Sequence, residues 1–253
     1  MNALDRFRLD GRVAIVTGAS AGLGEGIARA LAQAGARVAM VARRYDRLAK
    51  LADEIGGVPV VCDLAEPSEV ATVVPAVRDQ LGPPEILVNA AGNYVSRDRA
   101  EAEDPDAIRR TLELNLVAPF RLAQDAYPHM AAAGRGAIVN ISSIGGQVGI
   151  PGIPQASYAA SKRGLSGLTV ELAVQWARDG IRVNTIAPGF FRSELTGAMY
   201  EDERTTTWLR RNTPLPYDGT VDDFTGAVLW LASDAGRYVT GQTIIIDGGW
   251  TAR

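Results

Sequence analysis

The chain has 253 residues, a net charge of −3 and 47% hydrophobic residues, enough apolar material for a sizeable core. No basic run exceeds two residues, which argues against nucleic acid as a main partner; the first twelve residues carry no apolar run of signal-peptide length, and no later segment is long and apolar enough for a membrane span. One cysteine, Cys62, and one histidine, His129, leave no internal disulfide and no His- or Cys-built metal centre, so a cytoplasmic, metal-free protein is expected.

The first apolar run, "VAIVT" at 13–17, is continuous rather than alternating, as in a strand covered on both faces. It leads into "TGASAGLG", with Gly18, Gly22 and Gly24, and then into a helical pattern that stops at Gly35. Strand, glycine turn and helix make a candidate phosphate site, because free N–H groups and the helix dipole favour an anion there. The spacing is not that of a P-loop, and no lysine follows.

The second strand, at 38–42, ends in Ala42, Arg43 and Arg44. Dinucleotide sites for NAD(H) usually place an acid here to bond the ribose. Two guanidiniums in its place suit the 2′-phosphate of NADP(H). NADP(H) is therefore expected in preference to NAD(H).

Strands follow at 58–62, 85–89, 137–141, 181–185 and 243–247, seven in all. Helical segments lie between most of them, including long ones at 105–132 and 156–179. Strand alternating with helix predicts an α/β fold with a doubly wound parallel sheet. No linker divides the chain, so one domain over 1–253 is expected. Asn115 sits among apolar residues of the first long helical segment and needs polar partners. Those partners are backbone groups, or a water leading to Lys162.

The fifth strand ends in Ser142 and Ser143, at the sheet edge where ligands bind. A serine hydroxyl there can steady charge developing on a substrate oxygen. The next helix opens with "SYAASK". Tyr158 and Lys162 stand four apart and so share a face. Lys162 is one of only two lysines, against twenty-four arginines. A nearby ammonium favours the phenolate, and its compact three-donor head also suits a ribose. The segment 189–219 reads as irregular. Within it, 190–217 is expected to form a substrate lid. Its apolar residues are Phe190, Phe191, Leu195, Met199, Tyr200, Trp208 and Leu209; Arg192, Arg204, Arg210 and Arg211 are interspersed. Arg192 and Arg210 are the expected anchors for an anionic substrate.

"TGASAGLG", "CDL" (62–64), "NAAG" (89–92), Asn115, "ISS", "YAASK", "APGFF" (187–191) and "YVTGQTIIIDGGW" stand in the order and approximate spacing of the short-chain dehydrogenase/reductase family, which the whole chain resembles. The resemblance implies a Rossmann-like seven-stranded fold, nicotinamide chemistry and a homotetramer or homodimer. It gives the catalytic roles to Asn115, Ser143, Tyr158 and Lys162, with Ser142 left open as the alternative serine. It extends the cofactor site along Gly18, Ser20, Ala21, Gly22, Leu23 and Gly24. It adds Asp63 and Leu64 at the adenine, Asn89, Ala90, Ala91 and Gly92 beside the ribose, and Pro188, Gly189, Phe191 and Ser193 on the nicotinamide side. Two departures stand out. The fifteen positions from Ser143 to Tyr158 are slightly more than is common in the family. Ala21 replaces the basic residue many NADP-using members carry in the turn.

The expected activity is an NADPH-dependent ketoreductase working reversibly as an alcohol dehydrogenase. "APGFFRSELT" followed by "TTTWLRRNTP" resembles sugar-acid dehydrogenases of the gluconate type. A keto-sugar acid is thus the favoured small-molecule substrate, and a 3-oxoacyl thioester the runner-up. An NAD-dependent alcohol dehydrogenase is a further alternative. A non-catalytic NADP-binding regulator ranks below these, because Tyr158 and Lys162 are both present.

Overall fold

The computed structural model describes residues 2–192, 194 and 196–252, with the side chain of residue 198 left aside. Seven strands form one parallel sheet: β1 (Val13–Thr17), β2 (Arg37–Ala42), β3 (Val58–Val61), β4 (Ile86–Asn89), β5 (Gly136–Ile141), β6 (Ile181–Pro188) and β7 (Thr243–Ile246). Their spatial order is β3-β2-β1-β4-β5-β6-β7. Every residue of β1, β4 and β5 is buried, which explains why these runs are continuously apolar.

Helices cover both faces. On one side α1 (Gly22–Gln33), α2 (Tyr45–Ile55) and α9 (Val221–Ala232) contribute Ile27, Leu31, Leu48 and Phe224 to the core. On the other, α3 (Pro67–Leu81), α5 (Ala118–Ala133) and α6 (Ala156–Trp176) contribute Val73, Leu122, Met130 and Leu172. The long helical stretch expected at 105–132 is not uniform. α4 (Pro105–Leu112) runs into a π-helical turn, Glu113–Val117, before α5 begins. The irregular segment holds two short helices, α7 (Gly197–Glu201) and α8 (Glu203–Asn212).

The chain leaves β1 toward β2 on one side and later returns to β4 on the other. This reversal opens a crevice at the carboxyl ends of β1 and β4, the usual ligand position in such a sheet. Among the described residues no helix is long and apolar enough to cross a membrane.

Candidate active site

The crevice is a cavity of about 790 Å³. Leu23, Ala90, Ser143, Tyr158, Phe190 and Trp208 are among the residues that line it.

The glycine turn is held by close backbone packing. Gly18 has φ +70°, and a Cβ on it would stand 2.8 Å from the Cα of Ala91. A Cβ on Gly24 would stand 2.3 Å from the carbonyl oxygen of Gly18. Both positions therefore require glycine if β1, the start of α1 and the end of β4 are to meet. Thr17 fixes the same junction: its Oγ1 accepts the N–H groups of Ala90 at 3.0 Å and Ala91 at 3.1 Å. Ala21 precedes α1 and supplies no side-chain cap, so the first N–H groups of the helix are available to an anion.

Beside this turn, Arg44 donates to Ser20 Oγ from Nε at 3.2 Å and from Nη2 at 3.0 Å. Its two terminal nitrogens also grip the Glu194 carboxylate, both at 2.8 Å. Arg47 adds a bond to Glu194 at 3.3 Å. Those bonds keep the Glu194 carboxyl below its ordinary range. Arg43, in contrast, is 71% exposed and lies 3.7 Å from Asp63. The guanidiniums that converge on one anionic group are thus Arg44 and Arg47. Sequence reasoning missed Arg47, which is one helical turn beyond Arg44.

Tyr158 and Lys162 share the buried face of α6, as their spacing predicts. Lys162 is 3% exposed. Its Nζ donates to Ile141 O at 2.9 Å and lies 5.8 Å from the centre of the Tyr158 ring. Burial lowers the Lys162 ammonium to about 8. Burial also raises the Tyr158 phenol above its ordinary value, and the neighbouring Tyr94 raises it further; a hydrogen bond with Ser143 pulls the other way. In this arrangement desolvation outweighs any lowering by the ammonium.

The two serines separate. Ser142 Oγ donates to Lys162 O at 2.8 Å, tying β5 to α6. Ser143 accepts the Gly145 N–H at 3.0 Å, and it is the serine that lowers the Tyr158 phenol. Asn115 lies in the π-helical turn and is fully buried. It accepts the Asn93 N–H and donates to Asn93 O and Ser161 Oγ, all at 3.1 Å. A Cβ on Gly92 would stand 2.7 Å from Lys162 Nζ and 3.2 Å from Asn115 Oδ1. The "NAAG" backbone therefore passes directly over both side chains.

The remaining expected positions divide. Pro188, Gly189 and Phe191 line the cavity. Leu64 is buried in the core. Asn89 turns into the sheet and donates to Asn140 Oδ1 at 2.8 Å. Ser193 and Leu195 lie outside the described residues. In the lid segment, Arg192 and Arg210 are not among the residues lining the cavity. Both pair with Asp218, at 3.4 and 3.0 Å. The guanidiniums lining the cavity are those of Arg97 and Arg204. Trp250, near the chain's end, packs on Phe190 and Trp208 at 4.8 and 5.0 Å between ring centres. Tyr94, two residues beyond Gly92, was also missed; its ring stacks on Tyr158 at 4.0 Å.

Chemically, the arrangement places an exchangeable phenolic proton, a serine hydroxyl and an ammonium around one cavity, next to a turn with no side-chain cap on the helix that follows. Among the described residues no cluster could hold a metal ion. A family profile described as enoyl-(acyl carrier protein) reductase matches residues 18–251. Gluconate 5-dehydrogenase of Gluconobacter oxydans (strain 621H) is 36% identical, over 99% of each chain. The 3-oxoacyl-acyl-carrier-protein reductase of Vibrio cholerae is 36% identical, over 96% of this chain and 98% of that one. The crystal structure of a gluconate 5-dehydrogenase from Burkholderia cenocepacia J2315, in complex with NADP and tartrate, superposes with a TM-score of 0.93 at 39% identity, covering all of both chains. From the glycine turn to the last strand, the chain belongs to the short-chain dehydrogenase/reductase family.

Proposed function

We propose that this chain is an NADPH-dependent ketoreductase, reversible as an alcohol dehydrogenase, acting on a keto-sugar acid. The observation that carries this reading is that Ser143, Tyr158 and Lys162 line one cavity, with the Lys162 Nζ 5.8 Å from the Tyr158 ring centre.

The residues present fit the cofactor. The glycine turn offers uncapped N–H groups to a pyrophosphate. Arg44, bonded to Ser20 Oγ, already grips the Glu194 carboxylate, and with Ser20 it would hold the 2′-phosphate. Gly92, facing Lys162 Nζ, leaves room for a ribose that the ammonium would bond. When bound, the nicotinamide supplies the hydride for reduction, or accepts it for oxidation.

The chain's own groups handle the oxygen and the proton. Ser143 donates to the substrate oxygen and steadies the negative charge that grows on it. Tyr158 gives its phenolic proton to that oxygen, or takes it back in the reverse direction. A raised phenol is a weak acid, so positive charge from Lys162 is needed as the proton leaves. Asn115 acts as a positioning residue: it pins Asn93 and Ser161, and so fixes the "NAAG" strand end against α6. Phe190, Met199 and Trp208 line the cavity, and α7 and α8 would act as the lid that keeps water out.

The keto-sugar acid is supported by the gluconate 5-dehydrogenase relatives, one crystallised with tartrate, a hydroxylated dicarboxylate. Arg97 and Arg204 on the cavity wall would meet the carboxylate. A 3-oxoacyl thioester is the second reading, supported by the 36% identity to a 3-oxoacyl-acyl-carrier-protein reductase. A homotetramer in the cytoplasm completes the proposal. Val170 and Val174 are exposed on α6 and offer an apolar face for a second copy; sedimentation showing a monomer at micromolar concentration would contradict it.

The functional test compares kcat/KM for 5-ketogluconate, an acetoacetyl thioester and an uncharged cyclic ketone, with NADPH and with NADH. The reading requires 5-ketogluconate and NADPH to be the best pair. A faster reaction with the uncharged ketone, or equal efficiency with both cofactors, contradicts it.

A further inference from the structure

Tyr94 belongs to no expected site. It follows the "NAAG" strand end and lines the same cavity as Ser143 and Tyr158. Its ring lies 4.0 Å from that of Tyr158, with only 24° between the planes. The rings are close and near-parallel, and each phenol perturbs the acidity of the other. The Arg97 guanidinium stands 5.4 Å from the Tyr94 ring centre and helps hold the ring in place.

A largely buried phenol needs a hydrogen-bond partner. Here the group it stacks on is the Tyr158 phenol. During the reaction, however, Tyr158 must turn its proton to the substrate oxygen. Tyr94 is then left beside the reacting oxygen with a donor to place. A substrate with oxygens on adjacent carbons presents a second acceptor about one hydrogen-bond length from the first. Two stacked phenols match two such oxygens, one each.

We propose that Tyr94 is a specificity-determining residue: its hydroxyl binds the oxygen on the carbon next to the reacting one, so that vicinal diols and α-hydroxy ketones are selected over simple alcohols and ketones. This rests on the ketoreductase reading above and narrows its substrate class. Sugar acids and polyols satisfy the requirement; a 3-oxoacyl thioester, with a methylene next to the reacting carbonyl, does not.

The test uses cis-1,2-cyclohexanediol and cyclohexanol, which share a ring and differ by one hydroxyl, oxidised with NADP by the wild type and by Tyr94→Phe. The substitution keeps the stacked ring and removes only the donor. NADPH fluorescence titration checks that the variant retains its fold and cofactor site, and 5-ketogluconate reduction checks the underlying reaction separately. The wild type should prefer the diol. Tyr94→Phe should lower kcat/KM on the diol by about three- to tenfold, the range for one lost neutral hydrogen bond. The loss should fall mainly in KM, and it should exceed the loss on cyclohexanol by about threefold or more, because any change made through the Tyr158 phenol falls on both alcohols alike. A packing role alone would lower both substrates by the same factor, and that result overturns the inference. So does a wild type that reduces 5-ketogluconate yet shows no preference for the diol or oxidises neither ring alcohol; the proposed reaction would then stand without it. Failure to reduce any ketone with NADPH would remove the underlying reading and this one with it.

Discussion

Replacing Lys162 by methionine should make the protein more stable at neutral pH while disabling it. The ammonium is buried, with a bond to Ile141 O at 2.9 Å, and burial lowers its pKa from 10.5 to about 8. One pKa step is worth about 1.4 kcal/mol, so the fold disfavours the charged form by about 3 kcal/mol at pH 7. Methionine removes that penalty and loses one hydrogen bond worth about 1 kcal/mol. The variant should be about 2 kcal/mol more stable at pH 7. The sign of the pH dependence follows from the lowered value. Between about 8 and 10.5 the unfolded chain holds more protons than the folded one, so wild-type stability rises with pH across that window. The advantage of the variant should shrink from pH 8 upward and be gone near pH 10. Urea unfolding of both proteins at pH 7 and pH 10, at one fixed protein concentration, measures the difference. A variant less stable at pH 7, by the same margin as at pH 10, would refute the claim that a charged lysine is buried here against its own solvation.

Tyr158→Phe should reduce turnover by at least about a hundredfold and leave NADPH binding, followed by fluorescence, within about twofold, because only the transferable proton is lost. Ser143→Ala should lower kcat by about tenfold or more; Ser142→Ala, whose hydroxyl bonds Lys162 O, should instead lower the thermal midpoint, and the reverse pattern would exchange their roles. Arg44→Gln should weaken 2′,5′-ADP by about tenfold in calorimetry and leave 5′-AMP unchanged, whereas Arg43→Gln, 71% exposed, should have the smaller effect. Glu85→Gln should destabilise the fold by about 2–3 kcal/mol in urea, since it weakens the partner of the buried Arg12 guanidinium at 3.2 Å.

The sheet was legible because its inner strands are buried on both faces and read as unbroken apolar runs between helical periods. The pairing of Tyr158 with Lys162 was legible because it is local, one turn of a helix. What escaped was of three kinds. The π-helical turn at Glu113–Val117 has no periodic signature, since one extra residue in a turn barely disturbs the apolar pattern on either side. The two short helices at 197–212 carry too few apolar residues in register to stand out from a loop. Contacts between distant segments were also out of reach. Arg44 meets Glu194 across 150 positions, Trp250 reaches back to Phe190, and Asp218 captures Arg192 and Arg210. Composition identified the arginines of the lid but not their partners. That is why the cavity-facing pair is Arg97 and Arg204 rather than the pair expected.

The central claim is that a hydride passes directly between a nicotinamide and a substrate carbon at the Tyr158–Ser143 site. Turnover of 5-ketogluconate with NADPH carrying deuterium at the reactive face of C4 tests it most directly. Mass spectrometry and NMR of the product should show one deuterium per molecule, located on the new carbinol carbon, and Tyr158→Phe should form almost none of this product. An unlabelled product, deuterium anywhere else, or undiminished labelled product from Tyr158→Phe would contradict the account.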